Sequence, residues 1–269
     1  MKTGPQKGDF PAIEPSGEVF LRASTPRSPR GTILFVHGLG ESGLCFEHLL
    51  DRSELAPWRL LVPDLPGYGR TPPVSDEPLS LAGLADWLAA WIRARRTTPA
   101  VILGHSMGGV VALLLAERHP ELVRAVIDVD GNKSPEDCVF SSRAGQWDRA
   151  GFLAGGFDKL RETIRRRGRQ DPAQAGYHRS LLLADAAAYH RHSGELVAMS
   201  AREDMARRLR ALPVPVLYVA GVPGGASRRT HELLAAAGVA TACIEPSGHW
   251  PFIDRPDDFC AAVRAWLDA

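Results

Sequence analysis

The residues best suited to covalent chemistry lie in the segment Gly104–Gly108, which has the sequence GHSMG. Ser106 stands between an apolar run, Ala100–Leu103, and an amphipathic run, Gly109–Arg118. These patterns predict a buried strand followed by a helix. A serine at such a tight turn carries its hydroxyl clear of the sheet, and flanking glycines avoid collisions with the strand and the helix. The segment therefore predicts a nucleophilic serine. Its non-catalytic interpretation is a glycine-serine turn that caps a helix.

A serine hydroxyl is a weak nucleophile near neutral pH. It needs a general base, and that base needs a carboxylate to fix its tautomer. His249 is the best candidate among the nine histidines, because Ser247 and Gly248 give it a flexible loop just after a predicted strand, Thr241–Ile244. We therefore expect His249 to be the general base.

Three further motifs accompany the serine motif. HGLG at residues 37–40 follows an apolar run, DLPGYGR at 64–70 follows another, and GHWP at 248–251 lies near the C-terminal end. Together with GHSMG, and in this order, they resemble the loops of the α/β-hydrolase superfamily. The resemblance covers most of the chain, and the combination is far more specific than any single motif.

The resemblance implies the order serine, acid, histidine along the chain, with Ser106 as nucleophile and His249 as base. It also implies an oxyanion hole made of two backbone N–H groups. One belongs to Met107, the residue after the nucleophile, and the other to Leu39, with Gly40 as the alternative.

The acid is missing from its commonest place. The resemblance implies an acid just after the predicted strand Val214–Val219, but the loop Ala220–Ser227 contains no Asp or Glu, and Glu232 lies inside the next predicted helix. The preceding predicted strand ends in Asp128 and Asp130, and some α/β-hydrolases carry their acid there. We therefore expect Asp130 to be the triad acid. Asp128, about 6–7 Å further back on the same face, an acid from elsewhere and a dyad without an acid remain alternatives.

Composition and charge exclude several classes of protein. The 32 basic residues nearly balance the 31 acidic ones, which argues against a nucleic-acid or membrane-surface partner. The four cysteines lack C-x-x-C and zinc spacing and are expected to be reduced thiols. The first ten residues lack a targeting pattern, and no apolar stretch reaches the ~18 residues of a membrane helix. We expect a cytoplasmic protein without a metal or cofactor.

Predicted strands alternate with predicted helices, which indicates an α/β fold with a mostly parallel central sheet flanked by helices. Residues 1–16 are predicted to be a loose lead-in, and Gly17–Ala23 a first edge strand. Helical patterns without a strand interrupt the alternation over residues 132–210. We predict a helical cap insertion there, over the strand ends where α/β sheets bind ligands, on a hydrolase core formed by residues 1–131 and 211–269.

These features favour a serine hydrolase that cleaves an ester, thioester or related acyl bond of a medium-sized, largely apolar small molecule. Trp147, Phe157, Tyr189 and Trp250 are the candidate pocket residues. The same site could instead serve an acyltransferase, a cyclase, a carbon–carbon hydrolase or a lyase. The displaced acid also leaves open a non-catalytic ligand-binding homologue.

Overall fold

The computed structural model describes residues 6–14, 17–96 and 99–269, and within them eight strands form one sheet. The strands are β1 Gln6–Glu14, β2 Gly17–Thr25, β3 Thr32–Val36, β4 Arg59–Pro63, β5 Ala100–His105, β6 Val123–Val129, β7 Val216–Gly224 and β8 Thr241–Gly248. Their order is β1-β2-β4-β3-β5-β6-β7-β8, with β1 and β2 antiparallel to their neighbours and the remaining pairs parallel. The sheet is thus mostly parallel, as the alternating pattern predicts.

Helices flank the sheet. They are α1 Leu81–Arg95, α2 Met107–Arg118, α3 Ser141–Ala144, α4 Arg149–Gly151, α5 Phe157–Arg167, α6 Pro172–Leu181, α7 Ala186–Ser200, α8 Met205–Arg210, α9 Arg228–Ala237, α10 Pro251–Asp254 and α11 Pro256–Asp268. Shorter 3₁₀ segments occupy Gly43–Leu49, Pro120–Leu122 and Pro135–Asp137, and a π-helical turn spans Phe152–Gly156. Within the described ranges, no helix combines the length and the apolar character that crossing a membrane requires.

The central strands carry almost continuous apolar sequence because both of their faces are covered. Every residue of β5 is buried, and α2 packs against this strand and its neighbour β6. At α1, the Ser80 hydroxyl accepts a hydrogen bond from the Gly83 amide at 2.9 Å and so caps the start of the helix. The packing of α2 therefore fixes the positions of the C-terminal ends of β5 and β6.

The prediction for the N-terminal part is wrong over Gln6–Glu14. This segment is strand β1, which pairs antiparallel with β2 in a continuous register from Gln6 opposite Thr25 to Glu14 opposite Gly17. β1, rather than the segment Gly17–Ala23, therefore forms this edge of the sheet. The polar, proline-containing sequence gives no clear alternation, and the pairing depends on the partner strand. Residues 1–5 and 15–16 of the predicted lead-in lie outside the described residues.

The chain between β6 and β7 contains helices and no strand over residues 130–215, all of which the structure describes. The helix bounds differ from the sequence pattern, which predicts one helix over 179–191. That range is interrupted, because Asp185 accepts a hydrogen bond from the Ala188 amide at 2.7 Å and so begins α7 as its N-cap. Tyr177 of α6 and Leu196 of α7 reach the cavity at the end of β5.

Candidate active site

Ser106 occupies a strained turn between β5 and α2. Its φ of 52° and ψ of −116° lie outside the regions that non-glycine residues usually adopt. A Cβ atom on Gly104 would lie 2.2 Å from the Gly108 carbonyl oxygen, and one on Gly108 would lie 2.0 Å from the Val36 carbonyl oxygen. Only glycine fits at either position. The surrounding backbone therefore enforces the turn that exposes the serine, as expected of a nucleophile elbow.

Ser106 and His249 line one narrow cavity at the C-terminal ends of the strands. Its volume is about 20 Å³, room for about one water molecule. Its wall is formed by Gly38, Leu39, Glu41, His105, Ser106, Asn132, Asp137, Phe140, Ser141, Tyr177, Leu196, His249 and Trp250. A second cavity, of about 220 Å³, shares Asp137, Phe140, His249 and Trp250 with the first and also touches Asp130.

Asp130 lies at the end of β6 with its carboxylate directed toward His249. Its φ of 46° is in the left-handed region, which aspartate tolerates better than most residues. Oδ1 accepts hydrogen bonds from the amides of Gly221 (3.0 Å) and Ala226 (3.2 Å), and Oδ2 lies 3.5 Å from Nδ1 of His249. That last distance exceeds the 2.7–3.2 Å typical of N–H···O bonds. The segment that lacks an acidic residue therefore holds the Asp130 carboxylate through backbone amides.

The alternative acids face elsewhere. Asp128 lies 2.8 Å from Nζ of the buried Lys133, and burial raises the pKa of Asp128 although this lysine acts in the opposite direction. Glu232 pairs with Arg228 at 3.1 Å on an exposed helix face. Neither carboxylate contacts His249.

Of the two residues whose amides are expected to form the oxyanion hole, Leu39 lines the cavity, and Met107 directly follows Ser106 without lining it. Met107 is the first residue of α2, so its N–H has no acceptor within the helix. Gly40, the alternative, has a φ of 71°, and a Cβ atom there would lie 2.7 Å from both Leu181 and Tyr189.

The candidate pocket residues are only partly brought together. Trp250 lines the cavity, whereas Trp147, Phe157 and Tyr189 do not. Phe157 and Tyr189 pack with ring centroids 5.3 Å apart, and the Tyr189 hydroxyl lies 3.1 Å from that of Tyr177. The residues that line the cavity from the segment 132–210 are Asn132, Asp137, Phe140, Ser141, Tyr177 and Leu196.

Sequence reasoning missed a buried acid and a buried base at the same cavity. Glu41 and His105 are 2% and 1% exposed, and Nδ1 of His105 lies 2.9 Å from Oε2 of Glu41. Glu41 also accepts hydrogen bonds from the Gly38 amide and from Nε1 of Trp250, both at 2.6 Å. The sequence signals were their positions, directly after HGLG and inside GHSMG.

Burial opposes the ionisation of both partners, but their contacts outweigh it. The charge of His105 and the hydrogen bonds from His105, Trp250 and Gly38 lower the pKa of Glu41 to about 2. For His105, burial lowers the pKa. The charge and the hydrogen bond of Glu41 have the larger effect and raise the pKa of His105 above its usual value. Both pKa shifts favour the charged forms of these two side chains, which the site contains in addition to the proposed triad. Among the described residues, no group of three or more His, Cys, Asp and Glu side chains could hold a metal ion.

A mostly parallel sheet with an enforced serine turn after a central strand and a histidine loop after the last strand defines the α/β-hydrolase class. The model of the alpha/beta hydrolase family matches residues 33–263. The chain belongs to this family, as its motifs predict.

Several similar proteins are named as pimeloyl-[acyl-carrier protein] methyl ester esterases. A pimeloyl-[acyl-carrier protein] methyl ester esterase of Neisseria meningitidis (strain MC58) is 43% identical over 105 residues, which cover 39% of this chain and 38% of the relative. The match thus spans well under half of that relative's length. An esterase of the same name from Edwardsiella ictaluri is 27% identical over 253 residues, 88% of this chain and 93% of the relative.

Solved structures share the fold. An enol-lactonase from Burkholderia xenovorans LB400 superposes with a TM-score of 0.77 at 21% identity, over 97% of this chain and 100% of that one. A putative aryl esterase from Burkholderia cenocepacia gives 0.74 at 22% identity, over 97% and 98% of the two chains. At this identity the likeness establishes the architecture of the chain.

Proposed function

We propose that this protein is a serine hydrolase that cleaves an ester, thioester or related acyl bond of a small molecule. One observation carries the proposal: Ser106, on its enforced turn, and His249 line the same cavity. Asp130 lies 3.5 Å from Nδ1 of that histidine. Ester chemistry is further supported by the Edwardsiella relative, which is named as a methyl ester esterase and matches along most of both chains.

In the proposed reaction, Oγ of Ser106 attacks the acyl carbon while Nε2 of His249 takes its proton. Asp130 holds the histidine in the tautomer with a proton on Nδ1 and stabilises the imidazolium that forms. The Met107 and Leu39 amides donate to the developing oxyanion. His249 then protonates the leaving group, and a water that it activates hydrolyses the acyl-enzyme.

The substrate proposed for this site is medium-sized and largely apolar. Phe140, Tyr177, Leu196 and Trp250 supply an apolar wall, and the wider cavity of about 220 Å³ begins at Phe140 and Trp250. Three of these side chains come from residues 132–210, which supports the proposed role of this segment as a cap on the core of residues 1–131 and 211–269.

Turnover of an ester panel tests the function. The panel contains p-nitrophenyl esters of increasing chain length, matched thioesters and methyl esters. Ser106→Ala should lower kcat by at least ~10³-fold, because it removes the nucleophile, with little change in stability. Ser141→Ala is the matched control at the same cavity: its Oγ has no hydrogen-bond partner, so its removal leaves no polar group unpaired.

Near-wild-type turnover by Ser106→Ala would exclude Ser106 as the nucleophile. Absence of turnover by the wild-type protein with every ester and thioester would instead favour a ligand-binding homologue. Both measurements use the full chain.

A further inference from the structure

The contacts of His105 fit a side chain with a proton on each ring nitrogen. Nε2 lies 2.8 Å from the carbonyl oxygen of His249, and a carbonyl oxygen can only accept. Nδ1 lies 2.9 Å from Oε2 of Glu41, which also accepts a hydrogen bond from the Gly38 amide. Both oxygens of Glu41 accept hydrogen bonds from N–H groups, Oε2 from Gly38 and Oε1 from Trp250, which favours the carboxylate form. Nδ1 of His105 then donates to Oε2, and the side chain is an imidazolium.

This pair contacts three of the segments that supply proposed catalytic groups. Through the Gly38 amide it reaches the loop that carries Leu39. His105 directly precedes the nucleophile, and its Nε2 binds the backbone of His249, while Glu41 also binds the next residue, Trp250.

We propose that Glu41 and His105 form a permanent ion pair that positions the oxyanion loop and the His249 loop around Ser106. In this arrangement His105 is a positioning residue that stays protonated at the working pH and takes no proton from substrate. The proposal rests on the serine hydrolase function proposed above.

The charge of His105 is needed as well as its shape. A Cβ atom on Gly38 would lie 2.8 Å from Oε2 of Glu41 and 3.1 Å from Cβ of Ser106, so the carboxylate is close to the nucleophile. An uncompensated anion at this place would oppose the negative charge that develops on the oxyanion. The imidazolium cancels that field and keeps a buried carboxylate compatible with the reaction.

The ionisable groups that face the pair from neighbouring elements are His37, Cys45, Tyr177, Asp130 and His249. Burial lowers the pKa of His37 and raises the pKa values of Cys45 and Tyr177, so these three are neutral near pH 7. Asp130 favours the charged form of His105. The pair is therefore expected to persist until the pH exceeds the raised pKa of His105.

Nitrogen NMR of the histidine rings tests the protonation state directly. The spectrum of the wild-type protein at pH 8 should show His105 as an imidazolium, although a free histidine, with a pKa near 6.5, is neutral there. The His105 signals are those that disappear in His105→Gln; if that variant does not fold, contacts to the Phe252 ring, 4.9 Å away, assign them. His192 is an internal reference, since burial lowers its pKa to about 4 and keeps it neutral.

Glu41→Gln tests the effect on catalysis. A glutamine has one acceptor oxygen, so its NH₂ group would face the N–H group of either Gly38 or Trp250. The substitution also removes the negative charge that keeps His105 protonated. We expect kcat to fall about 10- to 100-fold, the equivalent of one charged hydrogen bond, with KM little changed. The wild-type loss of activity at alkaline pH, where His105 gives up its proton, should be absent from the variant. Glu121→Gln, on the surface beside Arg93, should retain wild-type kcat and pH profile.

A neutral His105 at pH 8 in the wild-type protein would overturn the proposal, whether or not the protein hydrolyses esters. Wild-type kcat and an unchanged alkaline limb in Glu41→Gln would also overturn it. If instead the imidazolium is observed and no acyl substrate is turned over, the proposed function fails while the ion pair stands. The NMR measurement on the wild-type chain does not depend on the folding of the Glu41 variant.

Discussion

Asp130→Asn should abolish most of the activity without unfolding the protein. Asparagine tolerates the left-handed backbone at this position, where φ is 46°. Its carbonyl oxygen can keep both hydrogen bonds that Oδ1 accepts, from the amides of Gly221 and Ala226. Those two donors fix the orientation of the amide, so the NH₂ group takes the place of Oδ2, which lies 3.5 Å from Nδ1 of His249.

An NH₂ group at this place favours the wrong tautomer of His249. It would donate to Nδ1, and the ring proton would move to Nε2, where it prevents the histidine from accepting the serine proton. The charge that stabilises the imidazolium is lost as well. We expect kcat to fall by about 10⁴-fold, equivalent to about 5 kcal/mol of transition-state stabilisation.

The assay is turnover of an activated ester near neutral pH, with thermal unfolding measured in parallel. Asp86→Asn, which changes an exposed aspartate paired with Arg118, is the matched control and should retain wild-type kcat. A fall of less than about 10-fold in Asp130→Asn, with the fold intact, would refute Asp130 as the acid. The alternatives would then be a Ser–His dyad or an acid from elsewhere in the chain.

Two further predictions concern stability. Asp128→Asn should lower the free energy of unfolding by about 3–5 kcal/mol, because it leaves the buried Lys133 charge uncompensated; an unchanged unfolding midpoint in a denaturant titration would contradict this. Burial lowers the pKa of His192 from 6.5 to about 4, so between these pH values only the unfolded chain binds the proton freely. As the pH falls from 6.5 to 4, the free energy of unfolding should therefore decrease by about 3 kcal/mol in total. Urea unfolding between pH 7.5 and 4.5 should show a shallower dependence in His192→Gln; equal slopes for both proteins would disprove the assignment.

Local sequence predicted the parts of the site that local geometry enforces. The turn at Ser106 needs glycine at 104 and 108 because backbone atoms of neighbouring segments occupy the space of a side chain, and that requirement is visible as GHSMG. The expected place of Asp130 followed from the absence of an acid over 220–227. The structure adds that two amides of this segment bind the Asp130 carboxylate.

Features that depend on distant pairing could not be predicted. Glu41 and His105 are 64 positions apart, and nothing in either motif shows that their side chains meet. Likewise β1 becomes a strand because β2 supplies hydrogen-bond partners, not because its own sequence alternates. The sequence indicated that the aromatic residues are buried but not which of them line the cavity. Phe157 and Tyr189 pack against each other, whereas Phe140 and Tyr177 line the cavity.

Covalent labelling with a fluorophosphonate tests the central claim most directly. Such a probe reacts with a serine that is activated by a neighbouring base, and the modified peptide is identified by mass spectrometry. We predict one adduct per chain, on Ser106, which is absent from Ser106→Ala, retained in Ser141→Ala and formed much more slowly in Asp130→Asn. No adduct on the wild-type protein, or an adduct that persists on another residue in Ser106→Ala, would contradict the account.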